Sequence, residues 1–372
     1  MRLWEKSTQI VAPNQSIVRL FSLLKPSSLK GFMSLFLVGV SLSVAIASCS
    51  PNNSGGNSSA GAKSGDLELT LVSYAVTRAA YEKIVPEFTA KWKQEHNQNI
   101  TFSQSYGGSG SQARAVIDGL EADVVALALA LDTKKIEKAG LIQPGWEKEA
   151  PNNSILTKSV AALVTREGNP KGIKTWEDLA KDGVKVITAN PKTSGGARWN
   201  FLGIWGSATK TGGDDAKAQE FTTKVYKNVP VLPRDAREAS DAFFKQGQGD
   251  VLINYENEVI LAAQNGQKLP YVVPDVNISI DNPIAIVDKN VDKHGTREVA
   301  EAFVKFLYTP EAQREFAKVG FRPVDPTVAK EVAKQFVPIK TLFTAQDLGG
   351  WDEIQQKFFD DGAIFDKIQA GS

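Results

Sequence analysis

Four short stretches of this sequence gather the groups best suited to chemistry. They are Ser73-Tyr74-Ala75-Val76-Thr77, Gly107-Gly108-Ser109-Gly110-Ser111, Thr193-Ser194-Gly195-Gly196-Ala197 and Arg234-Asp235-Ala236. Each is small and polar, and each stands where a strand-like run gives way to a helix-like one. The first turn of a helix leaves several N–H donors without intrahelical partners. The aligned peptide dipoles add roughly half a positive charge there, so the place attracts anions. Glycine lets an anion come close to the backbone, and serine adds a hydroxyl donor. One such turn alone is ordinarily a helix cap. Four of them in one alternating chain point to an anion held in a crevice where strand ends meet helix starts.

The elements that must position these turns are legible in the pattern. LELTLVSYA, ITFSQSY, DVVALALAL, SVAALVTR, VKVITAN, VPVL, DVLINY and IAIVD have the composition of strands. Between them, helical spacing covers about Thr77 to Lys93, SQARAVIDGL, a short stretch closing on Gly140, and REVAEAFVKFLY. This alternation predicts an α/β protein with mainly parallel sheets. No period repeats, which excludes a solenoid.

Bulk properties narrow the class. The chain has 372 residues, 42% of them hydrophobic and 23% charged, enough for two domains. Its formal net charge is +1, but five of 43 basic residues and only one of 42 acidic residues fall before Cys49, so the remainder is slightly acidic. A near-neutral body lacks the concentrated basic face of a nucleic-acid protein. The N-terminus places basic residues ahead of GFMSLFLVGVSLSVAIA, the layout of a signal peptide. Ile46-Ala47-Ser48-Cys49 resembles the lipobox of bacterial lipoproteins, in which cleavage before the cysteine frees it to carry lipid. Cys49 is the only cysteine, so no internal disulfide exists. The following SPNNSGGNSSAGAKSG is a polar, Gly/Ser-rich tether.

Enzyme chemistry finds little support. Gly107 to Ser111 has only part of the nucleophile-elbow pattern, with Ser111 where that pattern has glycine. The two histidines, His96 and His294, sit in polar stretches, which argues against a Ser-His-Asp triad. There is no phosphate-binding GxxxxGK[ST] loop, and no His/Cys cluster suggests a metal. The expectation is a binding protein without metal or cofactor, with a secreted sulfo- or phospho-ester hydrolase as the rival class.

The wording of the loops is more specific than their type. NPKTSGGARWN, YGGSGSQA, EADVVALALALD, GDVLINYENE and LGGWDEI closely resemble the sulfate-binding proteins of bacterial ABC importers, in order from about Leu67 to the C-terminus. The resemblance implies the type II periplasmic-binding-protein fold, two α/β lobes with the ligand in the cleft between them. It implies 1–48 as signal peptide, 49–65 as anchor and linker, 66–157 plus 272–372 as one lobe, and 158–271 as the other. It further implies a periplasmic monomer, tethered where Cys49 carries lipid, with sulfate, a membrane permease and an ATPase as partners and no nucleic acid. Carried over by position, the N–H groups of Ala75 and Ser109 would contact sulfate from one lobe. The Ser194 hydroxyl and the Gly195, Gly196 and Ala236 N–H groups would do so from the other. Ala75 replaces an aspartate of the best-known relatives, which leaves a backbone contact intact. Tyr255 stands where the family places an indole donor. Arg78, Arg198 and Arg237 follow the contacts closely, and the family pattern assigns them supporting positions. Thiosulfate receptors are similar to the chain almost as broadly, but Gly196-Ala197-Arg198-Trp199 matches the sulfate pattern better. An all-donor site suits sulfate, which carries no proton at neutral pH. Phosphate would favour an acceptor, and Asp235 and Glu256 adjoin the expected contacts.

Overall fold

The computed structural model describes residues 65–371. Cys49, expected to carry lipid, and the leader before it lie outside the described residues. The strands are β1 (Leu67–Tyr74), β2 (Ile100–Gly107), β3 (Val124–Ala126), β4 (Ile155–Ser159), β5 (Ala161–Thr165), β6 (Val186–Ile187), β7 (Val251–Tyr255), β8 (Tyr271–Val272), β9 (Val276–Ile278), β10 (Ile280–Ile286), β11 (Arg322–Pro323) and β12 (Thr341–Phe343). Six form a first sheet in the order β11-β4-β10-β3-β1-β2, four a second in the order β6-β7-β5-β8, and β9 pairs with β12.

The sheets are mixed, which corrects the expectation of mainly parallel pairing. β1 lies parallel to both β2 and β3, and β6 lies parallel to β7, as right-handed βαβ units require. However, β10 runs antiparallel to β3 and β4, and β5 runs antiparallel to β7 and β8. The cause is topological. The chain leaves the first sheet through β4 and β5, separated only by Val160, and returns through β9 and β10, so the crossing strands enter against the local direction. Asn277 ties the two crossings together. Its side chain accepts from the Ala161 N–H at 3.1 Å and donates to the Ala161 carbonyl at 2.9 Å.

The helices that matter for the site are α1 (Arg78–His96), α2 (Ser109–Ile117), α3 (Ala130–Lys138), α4 (Gly195–Lys210), α5 (Asp215–Lys227), α6 (Ala236–Phe244) and α7 (Glu256–Gln264). VPVL does not form the expected strand, because Pro230 and Pro233 cannot donate to a ladder, and Val231 is exposed. The apolar run around β3 is strand only at Val124–Ala126, after which the chain bends at Ala128 and Leu129 into α3. Apolar faces close over each sheet. On the first, Tyr81 and Phe88 of α1 meet Phe303 and Phe316. On the second side, Phe201 and Trp205 of α4 meet Phe358 near the C-terminus. Near the C-terminus, Phe358 packs on Trp205 of α4 and Phe365 on Tyr226 of α5. Among the described residues, no helix is long and apolar enough to cross a membrane, and no His/Cys/Asp/Glu group could hold a metal ion.

Candidate anion-binding site

The ends of β1, β2 and β7 and the starts of α2, α4 and α6 converge on one small cavity between the two sheets. All seven residues expected to contact the anion line it: Ala75, Ser109, Ser194, Gly195, Gly196, Ala236 and Tyr255.

Each helix start brings its first residues to the lining of this space. After β1, Ala75–Thr77 make one tight turn before α1. The turn is pinned by Thr77 Oγ1 donating to the Tyr74 carbonyl at 2.7 Å and by Ser73 Oγ donating to the Ala126 carbonyl at 2.6 Å. After β2, Gly108 precedes α2 with its Cα against the opposite loop. A Cβ there would lie 2.5 Å from the Thr193 carbonyl oxygen, so this approach needs glycine. The Ser109 hydroxyl is fully occupied, donating to Asp132 Oδ2 at 2.7 Å and accepting from the Ala128 N–H at 3.1 Å. Only its backbone N–H remains for the cavity.

The α4 start is the densest donor group. The Ser194 hydroxyl oxygen accepts from the Ala197 N–H at 3.3 Å, which directs its proton elsewhere. A Cβ at Gly195 would meet Ala128 Cβ at 2.7 Å, and one at Gly196 would meet Tyr255 Cε2 at 2.7 Å and its hydroxyl oxygen at 2.9 Å. Both glycines are therefore dictated by packing as well as by donor exposure. At α6, Asp235 caps the helix by accepting from the Glu238 N–H at 2.9 Å, leaving the Ala236 N–H at the front. Asn254 Nδ2 donates to the Ala236 carbonyl at 2.8 Å, tying this turn to β7. Tyr255, at the end of β7, lays its ring over Gly196 and stands 6.1 Å from the Tyr74 ring, centroid to centroid. Its buried hydroxyl has no hydrogen-bond partner among the described residues. Burial pushes the Tyr255 phenol far above its ordinary value of 10.0, helped by the nearby charges of Glu258, Asp132 and Asp235, so at neutral pH it is a donor.

Among the described residues that line the cavity there is no Arg, Lys or His. The three arginines flanking the expected contacts are occupied elsewhere. Arg78 lies over the Tyr106 ring, 4.5 Å from its centroid. Arg237 pairs with Glu258 at 2.7 Å. Arg198 is buried, bridging Asp132 at 3.0 Å and donating to the Pro191 carbonyl at 2.8 Å. Glu256, which adjoined the expected contacts, is held away by Arg322 at 2.7 and 3.0 Å. The buried Glu258 carboxyl is pushed up by burial, with Arg237 and the hydrogen bond from Ser240 opposing that shift.

Two residues escaped the sequence reading. Asp132 binds both Ser109 and Arg198, so one carboxylate joins α2, α3 and α4 across the cavity. Trp199 Nε1 reinforces the same crossing by donating to the Ala128 carbonyl at 2.8 Å. The signals were a lone acid after an apolar run and a tryptophan beside Arg198. Neither names its partner.

A family model described as bacterial extracellular solute-binding protein matches residues 69–322. The chain belongs to this family. It is 60% identical over 341 residues to the sulfate-binding protein of Synechococcus elongatus, covering 91% of this chain and 96% of that one. It is 62% identical over 301 residues to the sulfate-binding protein of a Synechocystis species, covering 81% and 86% respectively. Among solved structures, the sulfate-binding protein SubI from Mycobacterium tuberculosis superposes with a TM-score of 0.73 at 37% identity, covering 79% of this chain and all of that one. The mixed α/β architecture is accordingly the two-lobed, type II periplasmic-binding-protein fold.

Proposed function

We propose that this chain is the extracytoplasmic receptor that binds inorganic sulfate and delivers it to an ABC importer, through permease and ATPase subunits. One observation carries the reading: four strand-to-helix turns and a buried phenol line one cavity whose described lining holds no cation. Four helix ends at about half a charge each offset a dianion without any side-chain cation. Ala75, Ser109, Ser194, Gly195, Gly196, Ala236 and Tyr255 would hold the ligand. The names of the relatives point to the same anion.

The lobes divide at the paired crossings, so closure about a hinge there would trap the ligand. The family supports an extracytoplasmic location. A periplasmic site and a lipid tether through Cys49 complete the reading. The deciding experiment is titration calorimetry of the mature chain against sulfate, thiosulfate, molybdate and phosphate, with sulfate esters tested for turnover. One-to-one binding with sulfate tightest is expected. Tighter thiosulfate binding would reassign the ligand, and turnover of an ester would make the chain an enzyme.

A further inference from the structure

Lys192 stands two residues before Ser194 but does not line the cavity. Its ammonium reaches the other way, to the C-terminal segment. It donates to the Phe359 carbonyl at 3.1 Å, the Asp360 carbonyl at 3.5 Å and Asp366 Oδ2 at 2.9 Å. The Asp361 carboxylate adds an ion-pair contact at 3.6 Å. An ammonium has three hydrogens to give, and these partners account for all of them. None is left for an anion.

The partners sit on fixed chain. Phe359 ends the helical turn Gln355–Phe359, whose last carbonyls lack intrahelical donors and form the negative end of its dipole. Asp366 lies in the first turn of the helix Ile364–Ala370 and also accepts from the Gly362 N–H at 2.8 Å. Phe358 against Trp205 and Phe365 against Tyr226 hold this segment to α4 and α5. On its other side the Lys192 loop meets α2 through longer bonds. Arg114 Nη1 donates to the Lys192 carbonyl at 3.4 Å, and the Ser111 N–H to the Thr193 carbonyl at 3.3 Å. Within the loop, the Asn190 carbonyl accepts from the Thr193 and Ser194 N–H groups at 3.1 and 2.8 Å. Thr193 Oγ1 donates to the Arg234 carbonyl at 2.7 Å, joining this turn to the one that carries Ala236.

The geometry points to Lys192 as a positioning residue for the anion site. It anchors the Thr193–Ala197 turn to the C-terminal segment, so that Ser194, Gly195 and Gly196 keep their places at the cavity before any anion arrives. This rests on the reading of the cavity as the sulfate site. A loop already held in place loses less freedom on binding, so the anchor raises affinity without touching the ligand. The competing account is that Lys192 acts only as a positive charge near the cavity. Cutting the anchor from its far end separates the two. Asp361→Ala with Asp366→Ala removes two negative charges, which by charge alone favours a dianion, whereas loss of the anchor weakens its binding.

The test compares wild type, Lys192→Met and the double aspartate variant. Sulfate affinity is measured by calorimetry, and association and release by stopped-flow tryptophan fluorescence. Hydrogen exchange of the Thr193 and Ser194 amides is followed in sulfate-free protein, with α1 amides as the reference. Lys192→Met should lose roughly tenfold in affinity, mainly through faster release. Exchange at Thr193 and Ser194 should quicken while α1 stays as in wild type. The double variant should change in the same direction on every measure. Wild-type affinity and exchange in Lys192→Met would overturn the proposal. So would tighter sulfate binding by the double variant, or a loss in Lys192→Met carried by slower association, since both are signatures of charge. Wild type that does not bind sulfate would sink the sulfate reading instead. The exchange comparison, made without sulfate, would then still uphold or overturn the anchor.

Discussion

The cavity wall and the shell directly behind it solve opposite electrostatic problems with different materials. The wall is made of backbone turns, one free serine hydroxyl, the Tyr74 and Tyr255 phenols and the capping carboxylate of Asp235, and no lining residue among those described is cationic. The shell is made of full charges, paired with one another: Asp132 with Arg198, Glu258 with Arg237, Glu256 with Arg322. A fixed cation in the wall would hold an anion strongly but release it reluctantly. Dipoles anchored by helices spread the same compensation over many weak donors. Full charges are useful one layer back, where each meets an opposite charge that orients a loop or joins the lobes.

The most severe way to test this division is to put a charge into the wall. Gly196→Asp adds a carboxylate beside the anion and forces a Cβ to within 2.7 Å of the Tyr255 ring. Repulsion between a dianion and a carboxylate ~6 Å apart is on the order of 5 kcal/mol at an effective dielectric of about 20. Sulfate affinity should fall by about four orders of magnitude, while far-ultraviolet circular dichroism stays native. Gln219→Glu, on the exposed face of α5, adds the same charge elsewhere and should change nothing measurable. Comparable losses in both would mean that overall charge, not a local wall, sets affinity.

The shell is tested by unpairing it. Arg198→Met takes from Asp132, which has no exposed surface, its 3.0 Å partner and leaves only the partly exposed Lys135 ammonium at 3.5 Å. Removing one member of a buried pair typically costs ~3–5 kcal/mol. The thermal midpoint with saturating sulfate should drop markedly. Adding Asp132→Asn should recover much of the loss, because the poorly compensated buried charge is then gone. A double variant no better than the single would show that Arg198 acts through packing, by its contact near the Phe359 ring, and not through charge.

Tyr255 is the side chain of the wall whose contribution is most separable. Tyr255→Phe keeps the ring against Gly196 and removes only the hydroxyl. Losing a hydrogen bond to a charged ligand costs ~1.5–3 kcal/mol, roughly tenfold to a hundredfold in affinity. Tyr255→Trp should restore part of this, since an indole N–H donates without accepting. A Phe variant that binds sulfate as tightly as wild type removes Tyr255 from the set of ligands, and the backbone donors alone must then suffice.

The difference between wall and shell also explains what could be read in advance. The wall is local: helix starts, glycines and capping serines are adjacent in sequence, so Gly107–Ser111 and Thr193–Ala197 stood out by type and spacing. The shell is not. Asp132 and Arg198 are 66 residues apart, and an aspartate in the first turn of α3 has the same local appearance whether it pairs or faces water. The antiparallel course of β10 was hidden for the same reason. Its residues favour a strand, but its direction depends on a crossing from the other sheet. VPVL failed for a local reason that residue type alone understates, the loss of two ladder donors at Pro230 and Pro233.

The smallest effect concerns pH, and it separates the cavity from the far end of the first sheet. Burial pushes the Tyr74 and Tyr255 phenols well above 10.0, so neither should titrate across the neutral range. At the opposite end of β3, His294 lies 2.9 Å from Glu121 and 2.8 Å from Asp123. Asp123 also accepts from the Thr70 N–H and the Thr296 hydroxyl, each at 2.7 Å. The hydrogen bond to Glu121, against some desolvation and with help from Asp123, raises the imidazole above its ordinary value of 6.5. A raised folded-state value means the imidazolium stabilises the fold fully below about pH 6.5, and this contribution is lost as pH rises through the folded value. Relative to wild type, His294→Gln should therefore lower the thermal midpoint most near pH 6, and the gap should shrink toward about pH 8. Sulfate affinity should stay flat over the same interval in both proteins. A gap that widens with rising pH would contradict the assigned ion pair. An affinity that follows His294 would mean that the two ends of the sheet are coupled.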